Sequence, residues 1–150
     1  MRKRGFTLIE LVSTMAIIGT VTAMAIPKLG DLKRRATASE ILQEVDVVKK
    51  GTYRFYSDSG FFPREAASGT IPDNLSRYLP RSFSFGGKGR AIDFQNWNIK
   101  TTSVYVQTGI HIGVSITIAD PKLGATVMEM YGNNPKFVVG SRYTFLIVGP

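Results

Sequence analysis

Cysteine is absent from this chain of 150 residues, and histidine occurs once. Without cysteine the chain can form no disulfide, no thiol nucleophile and no cysteine-ligated zinc or iron–sulfur site. The fold must therefore depend on packing alone. Because disulfides are optional even in oxidising compartments, their absence does not decide where the protein resides.

Charge is nearly absent from one segment. From Phe6 to Ile26 the sequence is apolar apart from a few hydroxyl side chains, and Glu10 is its only ionisable residue. About 21 residues at the helical rise of ~1.5 Å span roughly 30 Å, the thickness of the hydrocarbon core of a bilayer. The segment is too long for the apolar part of a secretory signal peptide and lacks a small-residue cleavage site at its far end. We therefore expect a membrane anchor that stays on the protein.

The residues around Glu10 form a motif. The run Gly5-Phe6-Thr7-Leu8-Ile9-Glu10-Leu11-Val12 follows a short basic leader, and it closely resembles the processing motif of type IV pilins and of the pseudopilins of type II secretion. The resemblance implies that a prepilin peptidase cuts after Gly5 and methylates the new N-terminal amine of Phe6. It also implies that Glu10 and Phe6 act in assembly.

A carboxylate in a membrane helix costs about 2.5–3.5 kcal/mol at the helix centre and less near an end, so Glu10 requires an explanation. Glu10 can neutralise the amine of Phe6 on a neighbouring subunit, which converts two costly charges into a hydrogen-bonded pair. The alternative is a solitary anchor, in which a carboxylate in the first helical turn is tolerated near the headgroups and the helix dipole.

The resemblance also assigns two positions along this helix. Gly19 matches a glycine in the stretch that melts when subunits pack into a filament, and Pro27 matches a helix-kinking proline. Pro27 removes one backbone hydrogen bond inside a helical pattern that continues beyond it, so we expect a kink or a local melt there rather than a stop.

Basic residues flank both ends of the apolar segment, so the positive-inside rule does not fix its orientation. The resemblance implies a single-pass protein of the bacterial inner membrane, with its N-terminus in the cytoplasm and its globular domain in the periplasm. The bases after the segment are Lys28, Lys33, Arg34 and Arg35. They can bind anionic headgroups, bind acids of the next subunit such as Glu40 or Glu44, or form a solvated helix face.

From Pro27 to about Tyr56 a second helical pattern follows, with apolar positions at mostly three- and four-residue steps: Leu29, Leu32, Ala36, Leu42, Val45, Val48, Thr52 and Phe55. We expect Gly51 to weaken this helix locally and Gly60 to follow its end. The chain thus divides into a leader (1–5), a transmembrane or filament-core helix (6–27), an amphipathic helix (28–56), and a variable loop region with an antiparallel sheet (57–150).

The last segment predicts an α+β fold in which the long helix packs on the small sheet, as in pilins. Turn-forming residues fill 57–90, apart from a short helix over Pro72–Leu79. Alternation of apolar and polar residues predicts strands, with Ile112, Val114, Ile116 and Ile118 on the face toward the helix. The predicted elements are strands at Ala91–Ile99, Ser103–Thr108, His111–Ala119 and Ser141–Val148, and a helix from Asp120 to Tyr131.

Other candidate sites are weak. His111 is expected on the solvent face of its strand, without partners for catalysis or metal binding. The run Gly86–Arg90 lacks the spacing of a P-loop and is expected to be a flexible turn. Calcium needs several oxygen ligands, and the last sixty or so residues offer only the scattered acids Asp93, Asp120 and Glu129.

Nucleic-acid binding is not expected. The one candidate for it is a basic and aromatic cluster of Arg77, Arg81, Lys88 and Arg90 with Phe83 and Phe85.

We predict a non-enzymatic structural subunit without metal or cofactor, which a prepilin peptidase processes and an inner-membrane platform with its ATPase adds to a helical homopolymer. Within the family the sequence favours a pseudopilin of a type II secretion system over a type IV pilus subunit. A membrane-tethered binding module that never polymerises is the competing class.

Overall fold

The protein is one long helix packed on a small antiparallel sheet. The computed structural model describes residues 6–87, 90–98 and 110–148. Helix α1 (Leu8–Ser59) leads through a loop and a short 3-10 turn to the strands of the sheet. Helix α2 (Pro121–Tyr131) lies between the third and fourth strands in the chain. In the described part the sheet has five strands in the order β1-β2-β3-β5-β4: β1 (Gly86–Gly87), β2 (Arg90–Asn98), β3 (Ile110–Thr117), β4 (Lys136–Val139) and β5 (Arg142–Val148). The predicted α+β plan is confirmed.

Helix α1 joins the apolar segment and the amphipathic segment in one element of 52 residues. It runs through Pro27 without a stop, as predicted. It ends where Gly60 adopts a left-handed conformation, with φ 75°, and donates its backbone N–H to the carbonyl of Tyr56. Glycine suits this position because it lacks the Cβ that makes positive φ unfavourable.

The predicted buried face of α1 is correct only in its second half. Val45, Val48, Thr52 and Phe55 are buried, whereas Leu29 and Leu32 are each 62% exposed. Ala36 is exposed as well. Periodicity predicts the face of a helix but not the point at which the rest of the chain begins to cover it. That cover begins at Ala38.

The sheet presents its apolar face to this covered half of α1. Ile112, Val114, Ile116 and Ile118 are all buried, as predicted, and they belong to the same hydrophobic core as the helix residues. The register stacks apolar partners on both sides of β3, because Val114 lies opposite Phe94 of β2 and Phe145 of β5. These cross-strand contacts are the ones that stabilise an antiparallel sheet.

Strands β2, β3 and β5 confirm three predicted strands to within about two residues. Helix α2 is also confirmed, with Asp120 as its N-cap accepting from the backbone N–H of Lys122. The predicted strand Ser103–Thr108 lies outside the described residues. Strand β4 was missed because its four residues do not alternate; the signal for it was the two-residue turn at Gly140 and Ser141, which forms a hairpin with β5.

The predicted helix over Pro72–Leu79 is wrong, since the structure has only a 3-10 turn at Ser76–Tyr78. Leu79 precedes Pro80 and is extended, with ψ 155°, as a residue before proline prefers to be. Buried Leu79 meets α1 at Gly51, where a Cβ would lie 2.7 Å from its Cδ2 atom. Gly51 therefore permits a close approach of the loop to the helix. From the sequence, only a local weakening of the helix was expected at Gly51. Near this contact, a hydrogen bond with Asp58 raises the pKa of the Tyr78 hydroxyl.

Arg90 connects the sheet to α1 through an ion pair. Its Nε donates to Glu44 Oε2 at 3.2 Å and its Nη2 to Glu44 Oε1 at 2.9 Å. The side chains are largely buried, with 11% of Arg90 and 20% of Glu44 exposed. Glu40 Oε2 lies 3.6 Å from the same guanidinium. A two-point pair of this kind fixes geometry as well as charge.

We expect Arg90→Met to lower the free energy of unfolding by about 1–3 kcal/mol, because it leaves a largely buried carboxylate without its partner. The matched control is Lys50→Met, which breaks the exposed pair with Asp46 and should cost less than about 0.5 kcal/mol. Urea unfolding followed by the fluorescence of Trp97, the single tryptophan, measures both. Equal losses in the two variants would contradict the assignment.

A second prediction concerns the contact of α2 with β5. A Cβ added at Gly124 would overlap the ring and hydroxyl of Tyr143. Gly124→Ala should therefore destabilise the domain by about 1–3 kcal/mol through overpacking, despite a gain in helix propensity of about 1 kcal/mol. Gly30→Ala is the control, because nothing lies within 4 Å of a Cβ there. The same unfolding assay applies, and a Gly124→Ala variant as stable as the wild type would disprove the close contact.

Candidate functional site

The first half of α1 is an apolar surface that the described part of the chain leaves uncovered. Phe6 is 83% exposed, and large apolar side chains stay exposed along the helix as far as Leu32. By length and composition α1 is suited to cross a membrane. Exposed apolar patches of this size mark sites of contact with a membrane or with other proteins.

Glu10 lies in the first turn of α1 and is held there by Thr7, the N-cap. The backbone N–H of Thr7 donates to Glu10 Oε2 at 2.9 Å, and the Thr7 hydroxyl donates to the same oxygen at 2.7 Å. The backbone N–H of Glu10 donates to the Thr7 hydroxyl in return, at 3.4 Å. This is a capping box, which satisfies backbone groups at a helix start.

The two oxygens of Glu10 differ in their surroundings. Both contacts from Thr7 go to Oε2, and within the described residues Oε1 accepts no hydrogen bond. No role was predicted for Thr7 from the sequence. The signal was present in the sequence, since Thr-x-x-Glu before an apolar run is the pattern of a capping box.

Three threonine hydroxyls in the apolar segment are satisfied within the helix. Thr14 donates to the carbonyl of Leu11 and Thr20 to that of Ile17, at 2.8 and 2.9 Å. Thr22 donates to the carbonyl of Ile18 at 2.7 Å. Such bonds return each hydroxyl to the backbone, so these residues present little polar surface to a membrane or to a neighbouring helix.

The remaining predicted residues of this segment lie as follows. Gly19 is helical and has open space around it, and the backbone at Pro27 is helical too. The kink or melt expected at these two positions stays a prediction. Gly5, the expected cleavage position, lies outside the described residues.

Two acids considered as partners for the next subunit have contacts inside their own chain. Glu44 is paired with Arg90, and Glu40 lies near the same guanidinium. Among the bases that follow the apolar segment, Arg34 is paired with Asp31 at 2.7 Å. The intramolecular pairs thus remove Glu44 from the set of acids that are open to a neighbour.

The basic and aromatic cluster does not form one exposed surface. Phe85 is buried, Phe83 packs partly against the core, and Arg90 is engaged by Glu44. Arg77 and Arg81 are exposed, and Lys88 lies outside the described residues. Base stacking needs exposed aromatic faces beside the charges, which the described residues of this cluster do not offer together.

The other candidates are dispersed over the fold. His111 is half-buried in β3 opposite Trp97, and Gly86–Gly87 pair with the start of β2. Asp93 accepts from Gln95 at 2.6 Å, and Asp120 caps α2. The third acid, Glu129, is exposed near the end of α2.

Residues 1–26 match the family described as "Prokaryotic N-terminal methylation motif". The fimbrial protein EcpC of Eikenella corrodens is 38% identical over 112 residues, which cover 75% of this chain and 69% of EcpC. The type IV major pilin protein PilE of Neisseria gonorrhoeae is 32% identical over 74 residues, or 49% of this chain and 44% of that pilin. This chain thus spans less than half the length of the gonococcal pilin that it matches.

A third relative, the type IV major pilin protein PilA of Myxococcus xanthus, is 35% identical over 78 residues, or 51% of this chain and 36% of PilA. No solved structure matches the chain. The methylation motif covers the apolar segment of α1, and the match to EcpC extends over three quarters of the sequence. The chain belongs to the type IV pilin family, in the broad sense that includes the pseudopilins.

Proposed function

We propose that this protein is a structural, non-enzymatic subunit of a type IV pilus filament, stored in the bacterial inner membrane through α1 and polymerised through the same helix. One observation carries the proposal: the apolar first half of α1 has no cover in the described part of its own chain. Lipid covers this surface before assembly, and α1 helices of other copies cover it in the filament.

Processing precedes assembly in this proposal. A prepilin peptidase cuts between Gly5 and Phe6 and methylates the amine of Phe6. The match of residues 1–26 to the methylation motif supports this step. Phe6 and Thr7 also lie before the first helical residue, so the peptide bond to be cut is adjacent to non-helical backbone.

Glu10 then directs the mature N-terminus of one subunit to another. Thr7 holds Oε2 and leaves Oε1 to receive the charged amine of a neighbouring Phe6. In an apolar filament core, each charge alone is costly, and the pair is stabilised by a charge-assisted hydrogen bond. Assembly is therefore favoured only where amine and carboxylate meet, which sets the axial stagger between subunits.

The proposal includes the partners that this pathway requires. They are the peptidase, an inner-membrane assembly platform and its ATPase. The N-terminus faces the cytoplasm, and the globular domain faces the periplasm until the filament extends outward. The domain limits are those given above: a leader of residues 1–5, a filament-core helix of 6–27, an amphipathic helix of 28–56, and loops and sheet over 57–150.

The relatives named as pilins and fimbrial proteins favour a pilus subunit over the pseudopilin that the sequence favoured. The second candidate, a type II secretion pseudopilin, shares the same membrane storage and the same use of Glu10. Filaments on the surface of cells with a normal set of secreted proteins identify a pilus subunit. Loss of a secreted protein on deletion, without loss of surface filaments, identifies a pseudopilin.

We expect the mature protein purified from its native host to lack residues 1–5 and to carry one added methyl group on Phe6. Intact-mass and N-terminal peptide analysis measure both changes. Gly5→Asp should block cleavage, whereas Arg2→Gln, a change in the same leader, should leave it intact. An uncut wild-type chain in cells that contain the peptidase would refute the processing step.

Glu10→Ala should abolish filament formation while cleavage at Gly5 proceeds normally. Sheared filaments are counted by electron microscopy, and processing is followed by mass in the same cells. Thr14→Ala is the matched control, because its hydroxyl bonds only to its own helix. Thr7→Ala should lower filament yield less than Glu10→Ala does, since it removes the cap and leaves the carboxylate. Normal filaments from Glu10→Ala would refute the role of Glu10 in assembly. A wild type that forms no filaments, and whose function survives Glu10→Ala, would favour the membrane-tethered binding module.

A further inference from the structure

Basic side chains gather where the apolar surface of α1 ends. Lys28, Lys33 and Arg35 of α1 are exposed, and so is Lys122 in the first turn of α2. The two helices approach each other here, because Gly30, Lys33, Arg34 and Thr37 of α1 line one groove of about 240 Å³ together with Asp120 and Leu123, the residues around Lys122. We name Lys28, Lys33, Arg35 and Lys122 the basic collar.

The collar begins at the height of the lipid headgroups and continues above them. At a rise of ~1.5 Å per residue, Lys28 lies about 3 Å beyond Ile26 and Arg35 about 14 Å beyond it. A bilayer of about 40–45 Å with a core of about 30 Å leaves roughly 5–8 Å for the headgroups of each leaflet. Lys33 falls just above this layer, and long basic side chains extend toward it.

Acids nearby do not neutralise the collar. Asp31 is paired with Arg34 at 2.7 Å, and Asp120 caps α2 by accepting from the backbone N–H of Lys122. Among the residues that the structure describes, no collar side chain has an ion-pair partner. The collar therefore presents several positive charges that have no ion-pair partner among the described residues.

The position of these charges opposes the usual distribution. Positive residues are enriched on the cytoplasmic side of membrane helices, and the proposed topology puts the collar on the other side. A contact with anions offsets charges that work against the preferred orientation, and phospholipid phosphates are anions in this region.

We propose that the basic collar binds anionic phospholipid headgroups in the outer leaflet of the inner membrane and so sets the height of the stored subunit. This inference rests on the membrane storage proposed above. Extraction of the subunit into a filament then requires release of these headgroups, which leaves the collar open to other anions.

Native mass spectrometry of the full-length protein in a neutral detergent tests the collar. The protein is titrated with phosphatidylglycerol or phosphatidylcholine, and the bound lipids are counted. We expect the wild type to bind phosphatidylglycerol about tenfold more tightly, since each basic residue near an anionic surface strengthens binding severalfold. The collar variant carries four substitutions, Lys28→Gln/Lys33→Gln/Arg35→Gln/Lys122→Gln. This variant should lose the preference for phosphatidylglycerol.

The matched control removes the same number of exposed positive charges elsewhere and should keep the preference: Arg54→Gln/Arg64→Gln/Arg77→Gln/Arg81→Gln. A milder variant, Lys33→Gln/Lys122→Gln, should lose part of it, which guards against misfolding of the fourfold change. Wild-type fluorescence of Trp97 confirms that each variant is folded.

Two results overturn the inference. One is equal binding of both lipids by the wild type. The other is a collar variant that keeps its lipid preference but forms no filaments, which assigns the collar to acids of a neighbouring subunit. A wild type that fails to insert into vesicles contradicts membrane storage itself, whereas insertion without lipid preference contradicts the collar alone.

Discussion

The uncovered apolar surface of α1 is the constraint on which the rest of the molecule depends. From Leu8 to Leu32 the helix buries almost nothing against the described part of its own chain, and from Ala38 onward it is part of a closed hydrophobic core. A helix whose apolar surface is buried in one half and exposed in the other is unfavourable in water by itself. The exposed apolar half therefore calls for a second environment, and lipid and other protein surfaces are the two that fit it.

Polar groups along that rod are arranged so that little of them faces outward. The threonine hydroxyls bond to carbonyls of the same helix, and Thr7 occupies one oxygen of Glu10. The charged acceptor that remains among the described residues of this segment is Oε1 of Glu10, at the helix start. An apolar surface with one charged acceptor has many ways to pack and one preferred register, which suits a regular polymer.

The outline of the fold could be predicted from the sequence because it depends on local signals. Asp120 and Gly60 marked helix ends, and alternation in Ile112–Ile118 predicted the buried face of β3. What failed depends on contacts far apart in the chain. The cover over α1 starts at Ala38, and Gly51 accommodates Leu79, which lies in the loop after the helix. At the candidate site, Glu10 was evident as a lone acid, and the pattern Thr-x-x-Glu already indicated a capping box. The sequence could not tell that both donors of Thr7 bind the same oxygen of Glu10.

A single continuous helix serves both halves of the molecule, and this has a mechanical consequence. In a filament built on α1, tension passes along the bundled helices, while the sheet is attached to their outer ends through the core and the Arg90–Glu44 pair. The sheet and its loops then bear little of this tension. Substitutions at the outward-facing residues of the sheet and loops are therefore tolerated, provided that the contacts between the sheet and α1 are kept.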